Sequence, residues 1–544
     1  METKRNEEEG MASTALPSFT ILSLLLLAAS SCISAGTHEA FLQCFLKKTN
    51  SSSSASSSLI HTPDTPSFYS IHNATVRNSR FASTSGATKP TFVVTPKTGS
   101  DVQAAVTCGK ATGLHLRVRS GGHDYEARSS YSNGDPFVIV DLANLRSITV
   151  DAAEGTAWVG AGATVGELYY NINAQTKKDT VAFPASLCAS VGVGGIIGGG
   201  GLSAMSRKFG AAADNVVDAS IVDVNGRILD RELMGEDLFW AIRGGSSASF
   251  GVVLAYKIRL VSVPPTVTVF RVNRTLEQDL SNLVEKWQKV SHDSSDDLFL
   301  RILTIAVGAG ANRTILATFE GMLLGGRDEF LSALQNSYPE LGVEANDLIE
   351  LKWIESTLFF AGYPTTDTSL LLDRRPYRNR TFKAKSDFPR EPISADAWDK
   401  IWKYLLDAVD ESLQIIISPW GGKFEEIPED AIPFPHRKGN FINLQYFLFW
   451  PDSPDEVNQK HLDFMRGFYD FMAPYVSSNP RATYFNVKDL DLGTNKIGNT
   501  TYSDATVWGK NYFRGNFERL ARVKALVDPD NYFWNEQSIP PFSA

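Results

Sequence analysis

Apolar and polar positions fall into a regular pattern from Thr91 onward, and the period changes along the chain. Thr91–Pro96 (TFVVTP) reads as a strand. Ser100 with Gln103 has the spacing of a capping box, predicting a helix that opens there and that Gly113 can close. Leu114–Arg119 alternates as a strand does and runs into a Ser120–Gly122 turn. Phe137–Leu142 is a buried-strand run, Thr156–Gly160 is another strand, and Thr164 with Glu167 marks a second helix start. Strands alternating with helices predict an α/β arrangement for this first part.

After Pro264–Pro265 the composition shifts to alternating aromatic and aliphatic runs, at Leu298–Ala306, Thr314–Phe319 and Phe441–Trp450. Helical stretches near Leu276–Ser291 and Ala395–Val409 lie between them, which predicts an antiparallel sheet backed by helices. No internal repeat of a solenoid period is present. The expected divisions are 1–35, 36–86, 87–263, 264–479 and 480–544.

The N-terminal part predicts an address. Phe19–Ala29 (FTILSLLLLAA) has the length of a signal-peptide apolar region, and Ser30, Ser31, Ser34, Ala35 and Gly36 suit cleavage. Residues 1–35 are therefore expected to be a secretory signal, with Met11 as an alternative start because Glu7–Glu9 sits poorly beside Lys4 and Arg5. The run is too short to span a bilayer comfortably, so no membrane association is expected once it is removed. Ser51–Ser58 is nearly all serine and reads as a loop without chemistry. Sequons at Asn50, Asn73, Asn273, Asn312, Asn379 and Asn499 agree with the secretory route and an extracellular, cell-wall or vacuolar destination.

Composition narrows the partners. At 544 residues and 43% hydrophobic content the chain can bury two cores, and a monomer is expected. The net charge of -9, with Lys and Arg scattered, leaves no footprint for a nucleic acid. Loss of Cys32 with the signal leaves Cys44, Cys108 and Cys188, an odd number for an oxidising compartment. The eight histidines form no His-Glu-x-x-His or Cys-x-x-Cys-containing set, so no metal site is expected, and no Gly-x-Ser-x-Gly elbow is present.

Two glycine-rich stretches carry the chemistry. RVRSGGHDYE at Arg117–Glu126 places His123 after a glycine pair, and FPASLCASVGVGGIIGGGG at Phe183–Gly201 places Cys188 before a glycine block. Glycine pairs leave backbone N–H groups open to a pyrophosphate, imidazole and thiolate are both nucleophiles, and a buried small hydrophobe is the other reading of Cys188. The block is not a Rossmann fingerprint, because the last required glycine is Ile197.

These residues, with the long stretch Arg207–Leu260, resemble the plant berberine bridge enzyme family, whose FAD is bonded to one His and one Cys. The resemblance implies an α+β, two-domain FAD-binding fold of the PCMH type, with a substrate domain of antiparallel sheet backed by helices. It also implies a Cys44–Cys108 disulfide, bicovalent FAD on His123 and Cys188, and a C-terminal segment, Tyr484–Pro541, that returns to the flavin domain. The expected cofactor-binding set is His123, Cys188, Arg119, Ser120, Gly121, Gly122, Asp124, Ser129, Gly192, Gly194, Gly195, Val253 and Asn486. Gly244, Gly245 and Gly251, with the Ser and Ala residues between them, would approach the adenosine half.

On the substrate side the pattern departs from the family. Asn440–Tyr446 looks like its active-site strand, and Gln445 fits, but Asn443 replaces a Lys or Glu. The family's Asn-Tyr-Arg-Asp-Leu-Asp segment reads Asn486-Val487-Lys488-Asp489-Leu490-Asp491, so its usual base is Val487, and the His that closes its glycine block is Ile196. Losing a general base typically costs roughly 10²–10⁴ in rate, which puts ordinary alcohol or amine oxidation in question. Gln445, Tyr484 and Tyr446 stand as the catalytic candidates, with Tyr125 and His436 as further proton carriers; His292 and His461 read as structural. Val191, three residues after Cys188, sits where a small residue admits oxygen in the family. The expected function is an FAD-dependent oxidase of plant specialised metabolism acting on a small aromatic, phenolic or alkaloid-like molecule, with oxygen as acceptor. The alternatives are a non-redox cyclase, such as a Diels–Alderase with FAD as part of the pocket wall, and a catalytically silent glycoprotein.

Overall fold

The computed structural model describes residues 36–49, 58–83, 87–374, 380–498 and 500–543. The signal stretch, nearly all of the serine run, and Asn50, Asn379 and Asn499 lie outside the described residues. Asn73, Asn273 and Asn312 are all exposed.

The first part holds two larger sheets and a two-stranded one that pairs Val181–Ala182 with Val261–Ser262. Ile60–His61, Phe92–Val94, Phe137–Asp141 and His115–Arg119 lie side by side in that order, and the last three strands run parallel. Phe137–Val140 is fully buried, as a parallel strand covered on both faces must be, which is why its sequence reads as an unbroken apolar run. The helix Gly99–Thr112 makes the crossover and ends at Gly113 in the left-handed region, φ 70°. Its cap differs from the expectation: Thr98 and Asp101 form the reciprocal capping box, and Gln103 instead donates to the Gly226 carbonyl at 2.6 Å. Two overlapping Ser/Thr-x-x-acceptor patterns compete here, and the shorter carboxylate of Asp101 reaches the Thr98 amide at 2.9 Å. Thr164 and Glu167 cap the helix Val165–Thr176 as predicted. The second sheet, entirely antiparallel, orders Ile148–Asp151, Thr156–Gly160, Val252–Arg259, Val216–Val222 and Ile228–Leu229. Cys44 and Cys108 are joined, tying the helical residues 36–48 to the crossover helix.

Beyond Pro264–Pro265 a seven-stranded antiparallel sheet runs in the order Ile349–Leu351, Val267–Thr275, Thr314–Leu323, Leu298–Val307, Ser412–Pro419, Ile442–Trp450, Thr381–Asp387. The helices Leu280–Asp293, Ala395–Asp407 and Asp455–Met472 cover one face, burying Trp287, Trp398, Trp402 and Phe468 against Ile302, Ile415, Leu444 and Leu448. The two-residue period of a strand sends alternate side chains to the other face. That face presents Phe299 and Arg301, Ile416 and Ser418, and Gln445 to a cavity shared with the first part.

The C-terminal residues return to the first part. Phe517 and Leu520 pack in the same core as Phe239 and Trp240, and Lys524 donates to the Ser249 carbonyl at 2.6 Å. Glu536 receives Arg117 at 2.8 Å and Arg128 at 3.3 Å.

Candidate active site

Two glycine turns build one wall of a cavity of about 380 Å³. The strand His115–Arg119 delivers Ser120–His123, and the helix Val193–Gly198 begins just after Val191. The turns touch backbone to backbone: a Cβ on Gly121 would strike the Gly192 amide, and one on Gly192 would strike Gly121 and the Ser120 hydroxyl. Gly122 has φ 68° and abuts Thr75, so it combines the left-handed conformation with the close approach that glycine permits. Ser120 Oγ donates to the Ala161 carbonyl at 2.6 Å and ties the turn to the second sheet.

His123 and Cys188 meet on this wall. Ser190 Oγ lies 3.2 Å from His123 Nε2 and 3.6 Å from Cys188 Sγ. Burial, reinforced by the Arg77 guanidinium, holds the His123 imidazole down to about 3, against the Ser190 backbone, which favours the charged form. The ring is therefore neutral and carries a nucleophilic lone pair. Arg77 itself is brought down to about 10 by burial, with Cys188 pulling the other way; its Nε and Nη1 are buried without a hydrogen-bond partner among the described residues. Cys188 is the one free cysteine described.

The opposite wall belongs to the seven-stranded sheet and the C-terminal segment. Gln445 faces the cavity, and its amide donates toward Asn443 Oδ1 at 3.4 Å, while Asn443 donates to the Asp387 carbonyl at 3.2 Å. Arg301 shares Glu320 with Arg271, so two guanidinium groups flank one carboxylate. Tyr484 Oη accepts from Asn486 Nδ2 at 2.8 Å and from the Gly201 amide at 3.1 Å. Burial pushes the Tyr484 phenol up to about 12 despite those two donors, and burial also raises Tyr125. Asp124 is the only carboxylate among the described lining residues; it is paired with Lys488 at 3.2 Å and accepts the Glu126 amide at 2.9 Å.

Most of the sequence-predicted residues converge here. Ser120, Gly121, Gly122, His123, Asp124, Ser129, Cys188, Gly192, Gly194, Gly195, Val253, Asn486, Tyr484 and Gln445 line the cavity. Arg119 is not brought to it: the guanidinium is fully buried on Asp141 and the carbonyls of Ile71 and His72. Tyr446 is turned away, because the strand period that exposes Gln445 sends its neighbour into the helix-backed core, where it donates to Asp387 at 3.0 Å. His436 lies outside the wall, stacked on Phe388 at 4.1 Å, and burial with the Arg514 charge holds it at about 3. Of the later glycines Gly251 lines the cavity with Ser246, Ser247 and Ala248, whereas Gly245 packs beneath Leu520 and Pro433. Sequence reasoning missed Ser190, Arg77 and Arg301. For Ser190 the sequence offers no periodic signal, because Cys188–Val191 is a turn closed by the Val191 amide donating to the Cys188 carbonyl at 3.4 Å.

The FAD implied by the resemblance fits this wall on two observations. Ser129 Oγ is buried on it without a hydrogen-bond partner among the described residues, an acceptor and donor left for a ligand. Next to Gly194, whose Cβ would lie 2.8 Å from the Ala161 carbonyl, Gly195 opens onto free space, so a flat group can pass over its backbone.

Comparison with known proteins agrees. The FAD binding domain family matches residues 90–231, and the family described as berberine and berberine like matches residues 483–540. The chain is 47% identical over 541 residues to a tetrahydroberberine oxidase of Berberis wilsoniae, covering 98% of this chain and 99% of that protein. Among solved structures, Phl p 4 superposes with a TM-score of 0.85 at 40% identity, covering 93% of this chain and all of that one; its wild type is a glucose dehydrogenase and an isoleucine-to-valine variant is a glucose oxidase. A variant of berberine bridge enzyme in complex with (S)-reticuline superposes with a TM-score of 0.85 at 36% identity, over 93% of this chain and 99% of that one. With both family regions matched and near-complete coverage at this identity, the chain belongs to the berberine bridge enzyme-like family of FAD-linked oxidoreductases.

Proposed function

We propose that this protein is a flavin oxidase that holds FAD through His123 and Cys188 and removes hydride from a carbon beside a tertiary amine nitrogen in an alkaloid-like substrate. When bound, FAD supplies the two-electron acceptor and passes the electrons to dioxygen. The observation that carries the reading is a wall bearing two convergent nucleophiles, set across from a substrate face with no free base among the described lining residues. Gln445 offers an amide, Val487 nothing that titrates, Tyr484 a phenol held protonated, and Asp124 a carboxylate already paired. Alcohol oxidation needs a proton removed with the hydride, and the described residues of this face offer no group to take it. A carbon beside a tertiary amine does not: as hydride leaves, the nitrogen lone pair forms the new C=N bond, and no proton is released. The tetrahydroberberine oxidase likeness supports that substrate class.

The chain's own residues orient rather than react. Gln445, held by Asn443, and Arg301 give the substrate face its polar handles, while Phe299 and Ile416 supply apolar contact. Val191 stands where the resemblance puts the oxygen gate, and Phl p 4 changes from dehydrogenase to oxidase on one isoleucine-to-valine change. We place the cofactor part at 87–263 with its return at 480–544, and the substrate part at 264–479, in a secreted glycoprotein whose Asn73, Asn273 and Asn312 are exposed for glycans.

The test is anaerobic mixing of the purified protein with a panel of tertiary-amine alkaloids. Bleaching of the flavin absorbance, restored by air with peroxide release, is expected. Should a ring-closing substrate turn over while the flavin stays oxidised and no oxygen is consumed, the second reading holds: a cyclase, which the same base-free face favours because pericyclic steps need orientation alone.

A further inference from the structure

Ser190 is 5% exposed and stands between the two tether residues, its single hydroxyl within reach of both. We infer that this hydroxyl decides which nitrogen of His123 bonds the flavin and hydrogen-bonds the Cys188 sulfur at the same time, making Ser190 the positioning residue for both attachment points. The inference rests on the bicovalent reading above.

The argument is one of proton inventory. A hydroxyl has one proton and two lone pairs. The sulfur that attacks carbon is a thiolate, which can only accept, so the Ser190 proton points to Cys188 Sγ. Ser190 Oγ must then accept from His123, and the neutral ring carries its proton on Nε2. Nδ1 is left with the lone pair, and it makes no hydrogen bond among the described residues. The Ser190 backbone favours the charged ring, as an acceptor beside an N–H does, while burial and Arg77 keep the second proton off. The chain Nε2–H to Oγ–H to sulfur is thus ordered in one direction.

The covalent chemistry balances around it. Each tether replaces one flavin C–H and one protein N–H or S–H by a C–N or C–S bond, releasing two electrons and two protons. These reduce one equivalent of dioxygen to hydrogen peroxide. Once Nδ1 has bonded carbon, the ring is cationic, and the proton it must lose is the one on Nε2, which already faces the Ser190 oxygen.

The experiment uses the full chain expressed with its cofactor, in wild type, Ser190→Ala and Ser190→Thr. Mass spectrometry of the peptides bearing His123 and Cys188 reads the doubly tethered fraction, and NMR of the isolated flavin peptide reads which ring nitrogen is bonded. Wild type is expected to be bonded through Nδ1. Ser190→Ala should lower the doubly tethered fraction roughly five- to tenfold, the effect of one lost hydrogen bond, and yield mixed nitrogen attachment. Ser190→Thr should restore both. Attachment through Nε2 in wild type, or an unchanged fraction and a single attachment nitrogen in Ser190→Ala, would overturn the inference. Wild-type peptides without flavin would instead overturn the bicovalent reading itself.

Discussion

Replacing Lys383 by Met probes the charge cluster that locks the three regions of the chain together behind the active site. Lys383 is buried and contacts Glu126 from the first part, Asp489 at 2.6 Å and Asp491 at 3.4 Å from the C-terminal segment. Arg80 holds Glu126 at 2.7 Å, and Lys385 holds Asp489 at 2.6 Å and Asp491 at 2.9 Å. Arg466 adds a fourth cation at 2.9 Å from Asp491, the one partly exposed carboxylate of the three, so removing Lys383 leaves Glu126 to Arg80 and Asp489 to Lys385, each buried with one partner fewer. Breaking a buried pair from one side costs about 3–5 kcal/mol, far above the 0–1 kcal/mol of a surface pair. Glu126→Gln placed on top of Lys383→Met removes the buried carboxylate that has lost one of its two cations and should recover about half of that loss. Equilibrium urea unfolding followed by tryptophan emission, with flavin retention as a second readout, measures both. A single variant within about 1 kcal/mol of the parent, or a double variant less stable than the sum of the singles, refutes the view of a coupled cluster.

Tyr446→Phe removes the bond to Asp387 and should cost about 1–3 kcal/mol in stability while leaving turnover unchanged, whereas Gln445→Leu should lower turnover with little effect on unfolding. Gly192→Ala drives a methyl into Ser120 and Gly121, so the purified variant should have a sharply reduced flavin-to-protein absorbance ratio. His436 is held neutral near 3, so its contribution is complete above the unfolded value of about 6.5 and is lost as the pH falls, at about 1.4 kcal/mol per pH unit; His436→Phe should flatten that slope in pH-dependent unfolding. Val191→Ile should slow reoxidation by air and leave anaerobic flavin reduction unchanged, as rapid mixing can show.

The elements were legible where local pattern and tertiary environment agree. Thr156–Gly160 emerged with its predicted bounds, and Leu298–Val307, Ile442–Trp450 and Ala395–Asp407 within a few residues at one end, because each buries one face or both. Thr314–Leu323 runs past the expected end because its last residues pair with Val267–Thr275 and Leu298–Val307, a long-range contact that the local pattern does not announce. The site was legible where backbone geometry demands a residue type, as at Gly121 and Gly192. It was not legible for Arg119 and Tyr446: a cation and a phenol beside a motif look alike in sequence whether they face a ligand or a buried carboxylate. Arg301 escaped because its significance depends on Glu320 and Arg271 meeting it across neighbouring strands.

The cavity takes part of its wall from Tyr484–Lys488 and Phe533–Asn535, and Glu536 locks Arg117 and Arg128 in place. During synthesis His123 and Cys188 therefore emerge hundreds of residues before their enclosure exists. Cofactor loading must wait until the polypeptide has left the ribosome, and a chain ending at residue 482 should be colourless when purified.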